Sequence, residues 1–256
     1  MRKAFRRCRG YNKNVQKRLG VALLITGYRK AVFLLFSEKL NYEITCFDTA
    51  VDRKQALEVE RFMSEIIRSV DLFFARAADG LRALCGGFLT PVLKVITVSG
   101  NSGLIFIIIA AIALIFSKTR KLGFAALIAL AFGALLTNVI LKNVIARPRP
   151  FADVSSEFYS FWNAAGSLAE SGYSFPSGHT TAAAAFGSSL FLLKNKRYSW
   201  LFLLIPVIMG FTRIYFVVHY ATDVFGGFLV GAVAATAAYF IVRALSKNAK
   251  IGKFLK

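Results

Sequence analysis

Histidine is nearly absent from this chain: its 256 residues include two, His179 and His219. Cysteine is almost as scarce, and Cys8, Cys46 and Cys85 are scattered. No C-x-x-C pair is present and no histidine stands at ligand spacing, so neither a structural metal nor a disulfide framework is expected. Acidic residues number 13 against 33 basic ones. There is no internal repeat and no low-complexity tract. The N-terminus MRKAFRRCRGYNKNVQKR is too long and too basic for the leading part of a secretory signal, and no small-residue cleavage site follows it. It is expected to be a cytosolic tail.

What the chain has in quantity is apolar surface. Hydrophobic residues make up 56% and the mean hydropathy is +0.56, too apolar for an ordinary soluble domain. The formal net charge of +20 is gathered in short clusters between apolar runs. A nucleic-acid binder would spread that charge over a polar face, so the implied partner is the lipid bilayer and no nucleic acid.

Crossing the hydrocarbon core takes roughly 20 mostly apolar residues. Five segments come near that length: 104–116, 122–141, 180–193, 200–218 and 224–242. A possible sixth, 19–36, carries Arg29 and Lys30 at its centre, each costing roughly 2.5 to 3.5 kcal/mol on insertion scales. Residues 37–70 hold most of the acidic residues and read as a soluble or interfacial helix. Residues 71–96 repeat apolar positions at three and four spacing around Arg76, Arg82 and Lys94, the pattern of an amphipathic helix lying at the membrane interface. The expected fold is all-α, a multi-pass transmembrane helical bundle. Its parts are a basic tail and uncertain helical region at 1–70, a membrane-embedded domain at 71–243 and a basic cytosolic tail at 244–256. The basic stretches SKTRK and KNKR and the C-terminal tail belong in the cytoplasm, which puts 142–178 and the turn around His219 on the opposite, non-cytoplasmic face.

Three polar clusters fall at that face: Lys142 with Arg149, then Ser177-Gly178-His179, then Arg213 with His219 and Asp223. Both histidines of the chain are among them. On a helix, Asp223 would lie over the His219 ring and accept its Nδ1 proton, leaving Nε2 as a nucleophile. His179 follows a Pro-Ser-Gly turn and opens a helix, where backbone amides and the Ser177 hydroxyl converge on an anion and the imidazole can donate a proton to a leaving oxygen. Lys142, Arg149 and Arg213 supply three positive charges, enough for a phosphoryl group. Taken singly, each cluster has a plain alternative: a buried structural His–Asp pair, a helix cap, or snorkelling cations at a helix end. Arg213 and His219 are six apart, so either the helix bends or Arg213 reaches across.

Together, KNVIARPRP, PSGH and RIYFVVHYATD resemble the three-part signature K-x6-R-P, P-S-G-H and S-R-x5-H-x3-D of the type 2 phosphatidic acid phosphatase and vanadium haloperoxidase superfamily. All spacings match, and the one departure, Thr212 for serine, keeps the hydroxyl. The likeness covers about residues 71–243. It implies His219 as the nucleophile that becomes phosphohistidine, Asp223 as its orienting partner and His179 as the acid for the leaving alcohol. Lys142, Arg149, Ser177, Gly178 and Arg213 would hold the phosphate; Arg147, five positions from Lys142, is secondary to Arg149. No metal or other cofactor is implied. The expected activity is that of a membrane lipid phosphatase acting on a phosphorylated lipid such as phosphatidate, phosphatidylglycerophosphate or undecaprenyl pyrophosphate. Halide oxidation with bound vanadate, and a non-catalytic protein that binds or transports a lipid phosphate, are the alternatives.

Overall fold

The structure, a computed structural model, describes residues 53–194 and 196–255. The basic N-terminus, the expected span at 19–36, and Cys8 and Cys46 lie outside the described residues. The chain divides into two units, Met1–Ile66 and Ile67–Lys256, and the contacts given below belong to the second. No strand occurs among the described residues, and the fold is all-α as the patterning requires.

The first helix, α1 (Arg53–Ser99), runs without a break through the boundary expected at residue 70. Its backbone leaves helical geometry at Cys85, shortly before Pro91, whose ring crowds the preceding turn and which has no N–H to give. A 3-10 turn, Asn101–Gly103, leads into α2 (Leu104–Ile115). Gly103 takes φ 68° there, a left-handed conformation in which glycine is at ease. One extended residue, Phe116, separates α2 from α3 (Ser117–Ala134). The basic stretch SKTRK, expected as a connector, is instead the opening of α3. Phe116 alone reverses the chain, and lysine and arginine are good helix formers.

Helix α3 continues through π-helical turns at Leu135–Leu141 into the short α4 (Lys142–Ile145). Ala146 then adopts φ 49°, and Pro148 and Pro150 prevent any resumption of the helix. The remaining helices are α5 (Glu157–Ala164), α6 (Gly178–Lys194), α7 (Leu204–Tyr215), α8 (Ala221–Leu245) and α9 (Ala249–Phe254). Leu57–Ser99, Ser117–Ile145 and Ala221–Leu245 are long and apolar enough to cross a membrane, and Leu104–Ile115 and Ser199–Tyr215 are shorter apolar helices.

Packing is inverted relative to a water-soluble protein. The buried positions of α3, α6 and α8 are mostly small, among them Ala126, Ala129, Ala183, Ala185, Ala234 and Ala238 beside a few larger ones such as Leu130 and Phe186, while Ile108, Ile112, Leu229, Val233 and Phe240 are exposed. In a bilayer large apolar side chains gain nothing by turning inward, and helices associate where small residues let backbones approach. Between α6 and α8 this is literal. A Cβ on Gly227 would lie 2.8 Å from the Ser177 carbonyl oxygen, and one on Gly231 would lie 2.5 Å from Ala184 Cβ.

Helices α2, α3, α6, α7 and α8 alternate in direction, whereas α1 keeps to one end, with Asp71 against Thr222 and Thr97 against Arg213. At the end away from α1, Arg120 near the start of α3 donates to the Phe254 carbonyl at 3.0 Å and covers that residue's ring, while Leu255 packs with Ala125 and Val242. The other end collects the close of α4, the start of α6, the close of α7 and the start of α8, which are the places that carry the three motifs.

Candidate active site

A cavity of about 530 Å³ opens at this second end. Lys142, Arg149, Gly178, His179 and His219 line its polar part, together with Glu170 and Ser171, and Ile107, Leu127, Leu130, Ala134 and Ala182 form an apolar wall leading away from them.

The spacing problem between Arg213 and His219 resolves in neither expected way, because the helix stops between them. Helix α7 ends at Tyr215, the chain turns through Val217 at φ 50°, and α8 begins at Ala221. That φ is rare for a β-branched residue. His219 therefore precedes the helix, and the expected helical stacking of Asp223 over its ring is replaced by a capping arrangement. Asp223 occupies the third position of α8 and accepts from the Tyr220 amide through Oδ2 at 2.9 Å. The same oxygen is 3.5 Å from His219 Nδ1, within ion-pair range but too long for a hydrogen bond. Nδ1 has no hydrogen-bond partner, and Nε2 faces Arg149 Nη1 at 3.4 Å. Burial, reinforced by the charges of Arg213 and Arg149, holds His219 well below the usual imidazole range. The ring is thus neutral at neutral pH and keeps the lone pair that a nucleophile requires.

Arg149 is fixed by carbonyls on three sides: Nε donates to Gly172 at 3.0 Å, Nη1 to Val218 at 3.0 Å and Nη2 to Ser171 at 2.7 Å. Arg213, 1% exposed, faces a smaller neighbouring cavity of about 250 Å³ walled by Thr97, Glu170 and His179. Its Nη1 donates to Thr97 Oγ1 at 2.6 Å and its Nη2 pairs with the Glu170 carboxylate, while Nε has no partner. Glu170 also lies 3.6 Å from Arg149 Nη2. Burial works to raise the Glu170 carboxyl, but the charge and hydrogen bond of Arg213 outweigh it, and the group lies below its ordinary range.

Ser177 does not line the cavity. Its buried hydroxyl accepts from Thr180 Oγ1 at 3.0 Å, and its amide donates to the Asp223 carbonyl at 3.0 Å, which ties the Pro-Ser-Gly turn to α8. Gly178 does line it. A Cβ there would stand 3.9 Å from Lys142 Nζ, so glycine leaves the start of α6 open beside a cation, where helix amides favour an anion.

The structure thus brings Lys142, Arg149, Gly178, His179 and His219 onto one cavity and Arg213 onto its neighbour, with Ser177 and Asp223 buried behind. Three residues that sequence reasoning missed or set aside join them: Glu170, Asp71 and Arg147. An acid within an apolar helical stretch is a functional flag, so Asp71 had a signal. Arg147 is not a cavity residue; it donates to Asp223 Oδ1 at 2.6 Å, Thr222 Oγ1 at 2.8 Å and Asp71 Oδ2 at 2.7 Å. Among the described residues, no three His, Cys, Asp or Glu side chains are gathered as a metal site.

The profile of the PAP2 superfamily matches residues 120–247. An undecaprenyl-diphosphatase of Sulfolobus acidocaldarius is 31% identical over 131 residues, covering 50% of this chain and 58% of that one. Phosphatidylglycerophosphatase B of Bacillus subtilis is 31% identical over 196 residues, 72% of this chain and 87% of that one. A lipid A 1-phosphatase of Rhizobium johnstonii is 38% identical over 101 residues, 40% of each chain. The crystal structure of a transmembrane PAP2-type phosphatidylglycerolphosphate phosphatase from Bacillus subtilis superposes with a TM-score of 0.54 at 28% identity, covering 70% of this chain and 88% of that one.

Proposed function

Because the chain belongs to the PAP2 superfamily, we propose that it is an integral-membrane lipid phosphatase. It hydrolyses a lipid phosphate monoester or pyrophosphate through a phosphohistidine intermediate. The observation that carries this reading is that both histidines of the chain, Lys142 and Arg149 line one cavity whose far wall is apolar. The polar end suits a phosphate and the apolar wall suits the first part of a lipid chain.

In the first step His219 Nε2 attacks phosphorus, the N–P bond forms and the bond to the lipid oxygen breaks. His179 supplies the proton that the departing oxygen takes up. In the second step water attacks the phosphohistidine, His179 receives its proton, and inorganic phosphate leaves with His219 regenerated. Asp223, 3.5 Å from Nδ1, stabilises the imidazolium that forms on attack. Lys142, Arg149 and Arg213 neutralise the charge spread over the phosphoryl oxygens, the task a divalent metal would otherwise perform. Glu170 supports this part of the reading, since a carboxylate already rests between Arg149 and Arg213 and a phosphate would meet the same pair.

The relatives named as an undecaprenyl-diphosphatase, a phosphatidylglycerophosphatase and a lipid A phosphatase support a membrane lipid as substrate, taken up at the non-cytoplasmic face. The test is phosphate release by purified protein in detergent with EDTA, offered phosphatidate, phosphatidylglycerophosphate and undecaprenyl pyrophosphate in parallel beside His219→Ala. Release that His219→Ala abolishes and EDTA leaves unchanged is the expected result. Phosphate-lipid binding with no release from any of the three would favour a non-catalytic binding protein.

A further inference from the structure

Arg147 is held by three polar side chains behind the site, and the chemistry just described does not use it. Its guanidinium lies between two carboxylates from different helices, Asp71 of α1 at 2.7 Å and Asp223 of α8 at 2.6 Å, and over the Tyr220 ring at 3.8 Å from the centroid. Both acids are buried, at 2% and 0% exposure. Thr222 closes the loop. Its hydroxyl accepts from Arg147 Nη1 at 2.8 Å and lies 2.9 Å from Asp71 Oδ1, and its amide donates to that same oxygen at 2.9 Å. Asp71 thereby serves the Thr222 amide at the start of α8 from another helix, a role an anion fills well. The Arg147 carbonyl in turn accepts from the Ser174 amide at 2.9 Å, just before the turn that presents His179.

We propose that Asp71 and Arg147 are positioning residues of the phosphoryl-transfer site, acting as one unit that sets where Asp223 stands and how much of its charge reaches His219. The geometry divides the Asp223 carboxylate among three claimants. Oδ1 is taken by Arg147, and Oδ2 is shared between the Tyr220 amide at 2.9 Å and His219 Nδ1 at 3.5 Å. A lone buried carboxylate facing a neutral imidazole would be poorly compensated. Arg147 compensates it, and Asp71 keeps Arg147 from compensating it completely. The front helix, which lies outside the stretch matched by the family profile, thus contributes to the site through an acid placed among apolar residues.

The inference deepens the lipid-phosphatase reading and rests on it for its kinetic consequence, but its electrostatic consequence can be measured without turnover. The chain has only two histidines, so ring-labelled histidine in the full-length protein in detergent gives two NMR titrations, which His179→Asn assigns. Lys142, Arg149, Arg213, Glu170, His179 and Asp223 surround His219, and all are kept. Arg147→Gln leaves Asp223 uncompensated and is expected to move the His219 midpoint up. Asp71→Asn keeps an oxygen for the Thr222 amide, strengthens the net charge of Arg147 and is expected to move the midpoint down. Opposite displacements are not what a loosened fold produces, and midpoints that stay put or move together would overturn the proposal.

In phosphate release from phosphatidylglycerophosphate or undecaprenyl pyrophosphate, Arg147→Gln is expected to lower kcat about tenfold with KM within about twofold, because Arg147 does not touch the cavity. The double variant should fall no further than Arg147→Gln alone, since the two residues act through one contact. Additive losses, or a loss confined to KM, would count against the unit. If the wild type releases no phosphate from either lipid while the midpoints move apart, the phosphatase reading fails and the positioning unit stands.

Discussion

At the scale of single residues, the proposed mechanism gives the two histidines different work, and each assignment can be tested separately. His219 is almost wholly buried, sits 3.4 Å from a guanidinium at Nε2 and is held neutral. A buried base with a depressed pKa contributes no penalty above its unfolded value of about 6.5. As pH falls below that value the unfolded chain takes up the proton first, so stability falls on acidification. Thermal unfolding in detergent followed from pH 7 to 5 should show a falling midpoint in the wild type and a shallower fall in His219→Asn. The acid's role proposed for His179 depends on the leaving group. His179→Asn is expected to slow phosphoenzyme formation by about 10²- to 10⁴-fold for a lipid alcohol, which needs a proton. The burst of p-nitrophenolate from p-nitrophenyl phosphate, whose leaving group needs none, should be nearly preserved. Equal losses on both would remove His179 from the acid's position. These residues were legible because they are rare and fall at fixed spacings. Glu170 was not, since an acid between two motifs gives no periodic or spacing signal until Arg149 and Arg213 are seen on either side of it.

At the scale of elements, the site is held by how closely α6 and α8 approach. Ser177 at the head of α6 donates to the Asp223 carbonyl in the first turn of α8, and the glycines that permit this, Gly227 and Gly231, stand one helical turn apart on α8. Gly231→Val would force a Cβ to 2.5 Å from Ala184 Cβ and 2.7 Å from the Ala185 nitrogen. Neither neighbour is a flexible side-chain tip. Overpacking of this kind costs about 1–3 kcal/mol, so the variant should unfold several degrees lower in detergent and lose kcat along with stability. Gly80→Val, at a position with nothing within 4 Å of a built Cβ, is the control that should do little beyond its helix-propensity change.

The helices themselves were readable from uncharged runs, and all five expected segments contain helix at nearly the expected positions. Their ends were less readable. SKTRK has the composition of a connector and became the opening of α3, because a single extended residue sufficed for the reversal. Past Arg213 the 200–218 run stays apolar to Val218, but α7 ends at Tyr215, and the turn it gives way to is what frees His219 to face Arg149. Hydropathy does not change across that turn, so no pattern in the sequence marks it.

At the scale of the whole molecule, the alternation of helix directions separates two chemistries. The start of α3 with Lys118, Arg120 and Lys121, the close of α6 with Lys194 and the close of α8 with Arg243 mark one end of the bundle. The motif residues mark the other. Basic segments next to spans are retained in the cytoplasm, where anionic lipid and the insertion machinery favour them. The cavity lined by the motif residues is therefore expected to open on the opposite face, and a lipid substrate would have to present its phosphate there. This is open to direct measurement. With the three native cysteines replaced by serine, a single cysteine is introduced either at Ser155, exposed in the loop between Arg149 and α5, or at Lys118, exposed at the start of α3. A membrane-impermeant maleimide applied to intact cells should label the Ser155→Cys protein, and should label the Lys118→Cys protein only after the cells are opened. The reverse pattern would turn the bundle over and place the phosphatase chemistry in the cytoplasm, and labelling of both in intact cells would mean that the two ends do not lie on opposite sides of a sealed bilayer.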